Sequence, residues 1–152
     1  MAWKSPDSTL DPMGTWNNEG NIMDENTLTR ADCTVAAKSW SNYLEALVAA
    51  PIFCDKVRFW VEYGAFRISK LSLDVFYGAA WHNIFEGAFA DKTWVEKTIP
   101  AGSQMVSKLR AKFYNTSVTN WWPEWYETDF NELPAPPSKK VGVCRRPLFL
   151  ED

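Results

Sequence analysis

From Lys56 to Phe130 the chain alternates apolar and polar residues in short segments separated by turn residues. Val57, Phe59, Val61 and Tyr63 fall on one side of an extended backbone, with Arg58, Trp60 and Glu62 on the other. Leu71, Leu73, Val75 and Tyr77 repeat the pattern after Gly64. Met105, Leu109, Ala111 and Phe113 repeat it again, opposite Lys108, Arg110 and Lys112. Side chains on a strand point to alternate faces, so a period of two means a sheet with one buried face.

The spacing predicts strands over 55–63, 66–77, 81–86, 93–99, 104–114 and 121–130, with Pro123 favouring an edge or bulge in the last. Residues 34–40 open the set as a further strand. Residues 43–50 have helical propensity but strand neighbours, and are read as a strand. The expectation is an all-β, antiparallel, jelly-roll-like sandwich of roughly seven to nine strands. Its predicted organisation is an N-terminal arm over 1–30, the sandwich over 31–132 and a Pro-rich C-terminal arm over 133–152. The spacer Leu133-Pro-Ala-Pro-Pro is of polyproline type.

Length changes this picture little. A chain of 152 residues fits one domain that buries ~70% of its unfolded surface. Net charge is −3, which argues against a phosphate-binding surface; the basic residues Lys108, Arg110 and Lys112 read as a solvated strand face. No nucleic-acid partner is expected, and no apolar run approaches a membrane span. The start Met-Ala-Trp-Lys-Ser-Pro-Asp lacks the apolar core of a signal sequence, so synthesis in a reducing cytoplasm is expected. Cys33, Cys54 and Cys144 are odd in number and widely spaced, and read as free thiols.

Candidate chemistry is sparse. His82 is the single histidine, without a nucleophile motif around it, and one His with scattered Cys makes no zinc site. No Gly-rich phosphate loop is present, and no cofactor is expected. Glu124, Glu127 and Asp129 form the best catalytic candidate, because glycosidases on sandwich folds use paired carboxylates. Glu127 and Asp129 share a strand face, whereas Glu124 points away unless a bulge at Pro123 turns it. Their spacing matches no glycosidase pattern, so no catalysis is expected.

Nine tryptophans are the compositional excess, and rigid amphipathic rings suit contact surfaces. Trp121 and Trp125 fall on one side of the last strand, Trp122 and Tyr126 on the other. One pair belongs to the core or an interface, and the other is free to stack on sugar. Candidate subunit-interface or glycan-contact residues are Trp3, Trp16, Trp121, Trp122, Trp125, Val141, Val143, Leu148 and Phe149.

The segments Ser69-Lys-Leu-Ser-Leu-Asp-Val-Phe-Tyr-Gly, Ala80-Trp-His-Asn-Ile-Phe-Glu-Gly and Lys92-Thr-Trp-Val-Glu-Lys-Thr-Ile-Pro-Ala-Gly resemble β-sandwich structural proteins of tailed bacteriophages and prophages. So do Lys108-Leu-Arg-Ala-Lys-Phe-Tyr-Asn-Thr-Ser, Glu127-Thr-Asp-Phe and the opening around Lys4-Ser-Pro6 and Gly14-Thr-Trp-Asn-Asn. Asn17-Asn-Glu-Gly departs from that pattern. The resemblance implies a non-enzymatic virion protein, a capsid decoration or head–tail accessory, made in the host cytoplasm. It would assemble as a homo-oligomer and with other virion proteins, through its sandwich surface and extended arms. The alternative is a carbohydrate-binding sandwich module that uses exposed Trp residues.

Overall fold

The computed structural model describes residues 2–137 and Gly142. Among them are ten strands: β1 (Ala2–Lys4), β2 (Ser8–Leu10), β3 (Ala31–Asp32), β4 (Ser39–Trp40), β5 (Leu44–Glu62), β6 (Ile68–Tyr77), β7 (Ala80–Gly87), β8 (Trp94–Thr98), β9 (Gln104–Asn115) and β10 (Glu124–Glu132). One 3-10 turn covers Glu19–Met23. Every strand pair is antiparallel, so the all-β sandwich expected from the alternation is what forms.

β5 joins the two layers. Its first part, Leu44 to Leu47, lies between β2 and β9. The register then slips between Leu47 and Ile52, where Ala49, Ala50 and Pro51 are exposed. Pro51 cannot donate to a ladder, which suits it to this corner. Beyond it, residues 56–60 pair with β8 on one side and residues 54–62 with β10 on the other. One layer is therefore β2, β5, β9, β6 and β7, with β4 continuing along β9. The other is β8, β5 and β10, with β1 and β3 end to end along β10. The corner also corrects one expectation: Met105 is half exposed and Val106 is buried in its place, because β9 pairs with Ile52–Cys54 past the slip.

Apolar residues from both layers meet in the middle. Phe113 of one layer and Trp125 of the other sit edge-on at 5.7 Å, and Trp16 contacts both at 5.8 and 6.4 Å. Each such ring contributes ~1.5–3 kcal/mol of transfer free energy when buried. The first thirty residues, expected as an arm, belong to this sandwich: β1 pairs with the end of β10, and Trp16 and Ile22 lie in the core. Leu133 N–H donates to Phe53 O at 2.8 Å, tying down the start of the C-terminal segment. Cys33 and Cys54 are buried free thiols; burial pushes them up to about 12 and about 11. They carry no thiolate at neutral pH.

The strand directions gather the loops 63–67, 88–93 and 116–123 at one end of the sandwich. Ala2, paired with Glu132, lies at the other.

Candidate functional site

At the loop end, the segment 116–123 is pinned from beneath by Asn115, a buried side chain. Its amide donates to Val35 O at 3.0 Å and Thr119 O at 2.9 Å, and its oxygen accepts from Ser117 N–H at 2.9 Å. Trp121 exchanges two backbone hydrogen bonds with Val35, at 2.7 and 3.0 Å. These bonds set the ring beside the 63–67 turn. There the Arg67 guanidinium lies 3.7 Å from the Trp121 ring centroid. Gly64 has φ +53°, and an added methyl would collide with the indole nitrogen. Only glycine supplies both the left-handed backbone and the room.

Trp122 stacks on Trp121 with centroids 4.4 Å apart and planes 11° apart. Trp122 is 42% exposed, and with one face against Trp121 its exposure falls on the other face and the edges. Phe66, with φ +66° and 75% exposed, completes the tip and stacks on Tyr63 at 4.6 Å. An exposed phenylalanine in the left-handed region costs of order 1–3 kcal/mol of backbone strain, the kind stored at functional sites. A hollow beside it is lined by Tyr63, Phe66, Phe89 and Asp91.

Hydrogen-bonding groups crowd the exposed indole. Glu124 accepts from Trp122 Nε1 at 3.3 Å and faces Arg30 at 3.4 Å. Glu124 and Glu62 are cross-strand partners, with Tyr126 Oη 3.1 and 3.0 Å from their carboxylates. Burial, then the neighbouring Glu62, pushes Glu124 upward. Glu62 is held down by its hydrogen bond from Glu124 and by Lys92 at 3.2 Å. Arg30 is raised, first by Glu124.

The three carboxylates singled out by sequence do share the outer face of β10. What turns Glu124 is a register shift between Trp125 and Glu127 rather than one at Pro123. Each of the three is engaged by protein partners, Glu124 by Arg30 as above. Asp129 accepts from Arg58 at 2.7 Å and from Ser5 Oγ at 3.1 Å. Arg58 in turn is sandwiched between Trp94 (3.8 Å) and Trp3 (4.4 Å). Glu127 is buried under the 24–29 loop, accepting from Asn26 N–H at 2.8 Å. Burial, then Asp24, pushes it up to about 8, so it is a neutral acid at pH 7.

Other predicted residues are dispersed. Trp16 and Trp125 are inside the core and present no surface to a ligand. Trp121 is half-buried, Trp122 exposed, and Trp3 covers Arg58 at the far end of the β10 face. Val141, Val143, Leu148 and Phe149 lie outside the described residues. Sequence reading missed Phe66, Arg67 and Arg30, which sit in turns and loops where alternation says nothing. It also passed over Trp60 and Trp94, although the period of two places Trp60 on the outer face. His82 stacks on Tyr77 at 3.8 Å and its Nε2 lies 3.1 Å from Tyr77 O, a local hairpin contact. Arg110 of the basic strand is spent on Asp74 at 2.8 Å. Among the described residues no cluster of His, Cys, Asp or Glu is placed to hold a metal.

No protein-family model and no curated protein matches the chain. Solved structures do match its fold. The CBM32 of AlyQ in complex with 4,5-unsaturated mannuronic acid superposes with a TM-score of 0.65 at 14% identity, over 86% of this chain and 98% of that one. CBM32-1 from a family 31 glycoside hydrolase of Clostridium perfringens gives 0.64 at 9% identity, over 84% and 96%. A pectin-binding carbohydrate-binding module gives 0.52 at 20% identity, over 78% and 83%. These neighbours overturn the likeness to phage virion proteins. The capsid or tail role, the virion location and the virion partners fall with it, since strand-and-turn patterns of that kind recur on any sandwich. What this chain shares with carbohydrate-binding modules is the jelly-roll-like fold.

Proposed function

We propose that this protein is a non-catalytic carbohydrate-binding module that holds a glycan at its loop end, against Trp122. The observation that carries the reading is the exposed Trp122 indole, backed by Trp121 and Arg67 and flanked by Glu124 and Arg30. Sugar rings present C–H groups on one face and hydroxyls around the rim. A rigid apolar platform edged by charged acceptors and donors matches both needs. The stack is preorganised, so little ordering entropy is lost on binding. The fold neighbours, which include modules for mannuronic acid and pectin, support the same reading.

The test is binding to an immobilised panel of alginate, pectin, chitosan and neutral plant polysaccharides. Wild type should bind at least one of them, quench or shift tryptophan fluorescence on binding, and lose both responses in Trp122→Ala. Retention of binding by a folded Trp122→Ala protein would place the site elsewhere.

A further inference from the structure

We propose, resting on the carbohydrate reading, that the site does not stop at Trp122. It continues along the outer face of the β10–β5–β8 sheet as a groove, so that the ligand is a chain of sugars rather than a single terminal residue. Two hollows lie on this face. One, of about 340 Å³, is lined by Leu28, Trp60, Lys92 and Tyr126. The other, of about 310 Å³, is lined by Ser5, Glu25, Arg58, Trp94 and Asp129. Thr27 borders both.

The two hollows adjoin. Trp60 and Trp94 are cross-strand partners with rings edge-on at 5.7 Å, so the aromatic floor of the first runs into that of the second. The 24–29 loop supplies Thr27 to both hollows. It is fixed by the Asn26 N–H bond to Glu127 and by hydrogen bonds of Thr29 Oγ1 and Asn26 N–H to Asp24. The first hollow adjoins the loop-end cluster directly, because Tyr126 and Lys92 both contact Glu62. From Glu62 to Arg58 along β5 is four residues, or ~13 Å at the rise of a strand. No single pyranose ring covers that span.

The chemistry along it suits neutral hydroxyls. Arg58 and Asp129 cancel each other's charge, and Lys92 and Glu62 do likewise. Aromatic rings alternate with donors and acceptors from Trp122 through Tyr126 and Trp60 to Trp94. A short sugar would engage only the loop end, and each further unit would gain the next ring.

The experiment uses size-fractionated mono-, di- and tetrasaccharides from hydrolysed alginate, pectin, chitosan and cellulose, titrated calorimetrically into the full chain. The tetramer of at least one series should bind ten-fold or more tightly than its monomer. Trp60→Ala, and Thr27→Trp on the surface loop, should abolish that ratio and leave monomer affinity unchanged, while Trp122→Ala loses both. Thr27→Trp guards against a folding defect in Trp60→Ala. Equal affinity for monomer and tetramer, or a ratio unmoved by both variants, would overturn the groove and leave the loop-end site standing. Binding to no member of any series would sink both readings.

Discussion

Trp125 and Trp122 lie three residues apart and do opposite work. Trp125 is fully buried, edge-on to Phe113 and Trp16, with its indole N–H donating to Glu127 O at 3.0 Å. Trp122 stands at the loop end with a face in solvent and the Glu124 carboxylate at its edge. Pro123 and the strand start between them separate the two environments. The same side chain is therefore a stability element in one and a recognition element in the other, and only its neighbours decide which.

The sharpest way to separate the two is to remove each ring. Trp125→Ala leaves a cavity between the layers that two aromatic neighbours cannot refill. It should cost about 3–5 kcal/mol in chemical denaturation. A loss under about 1 kcal/mol would mean that the centre of the sandwich lies elsewhere.

Next in size is the cation at the far end of the same face. Arg58→Ala deletes the partner of a nearly buried Asp129 and empties the space between Trp3 and Trp94. Breaking a buried pair from one side strands the remaining charge, so a loss of about 3 kcal/mol is expected. The double variant Arg58→Ala, Asp129→Asn should recover part of it, because no ionised group is then left without its partner. Failure to recover would assign the loss to packing against the two indoles.

Glu127 gives a pH-dependent comparison between the core and its rim. Its folded value of about 8 stands above the ordinary 4.5, so the folded chain keeps a proton that the unfolded chain has released. Stability from this group is whole below pH 4.5, declines through the interval, and is gone above about 8. Glu127→Gln keeps an oxygen for the Asn26 N–H and cannot ionise. Thermal melts should show it matching wild type at pH 4 and exceeding it at pH 8.5. Parallel curves for the two proteins across that range would refute the assignment.

How much of this was legible in the sequence follows from the same geometry. Alternation located the second half of β5 and β6 through β10, since a buried face imposes a period of two wherever a strand is long. Residues 43–50, read as a separate strand from their neighbours, prove from Leu44 onward to be the first half of the same β5. Alternation failed for the first thirty residues, where strands of three residues carry no periodicity and Trp16 reaches the core from a loop. It failed again at Met105, where pairing slips around Pro51. For the candidate site it set Trp121 and Trp125 on one side of the chain and Trp122 and Tyr126 on the other without choosing between the pairs, and it did not name Arg30, Arg67 or Phe66. Phe66 and Arg67 arrive through a turn whose left-handed residues at 64–66 leave no pattern in the amino-acid order, and Arg30 through the loop before β3.

The smallest effect on stability should come from Trp122 itself. The ring stacks on Trp121 and donates to Glu124 while keeping 42% of its surface exposed, so Trp122→Ala should change unfolding free energy by about 1 kcal/mol. Glycan binding should nonetheless vanish, because one stacked aromatic commonly supplies a dominant share of contact energy in a small site. Gly64→Ala is the companion experiment. It leaves Trp122 in the sequence but forces Trp121, and with it the stack, away from the 63–67 turn. A measurable melt shift together with weakened binding is expected, while Trp122→Phe should keep part of the affinity by retaining a flat ring. If Trp122→Ala instead unfolds the protein as Trp125→Ala does, the two indoles share one structural role, and the division between core and recognition ring is wrong.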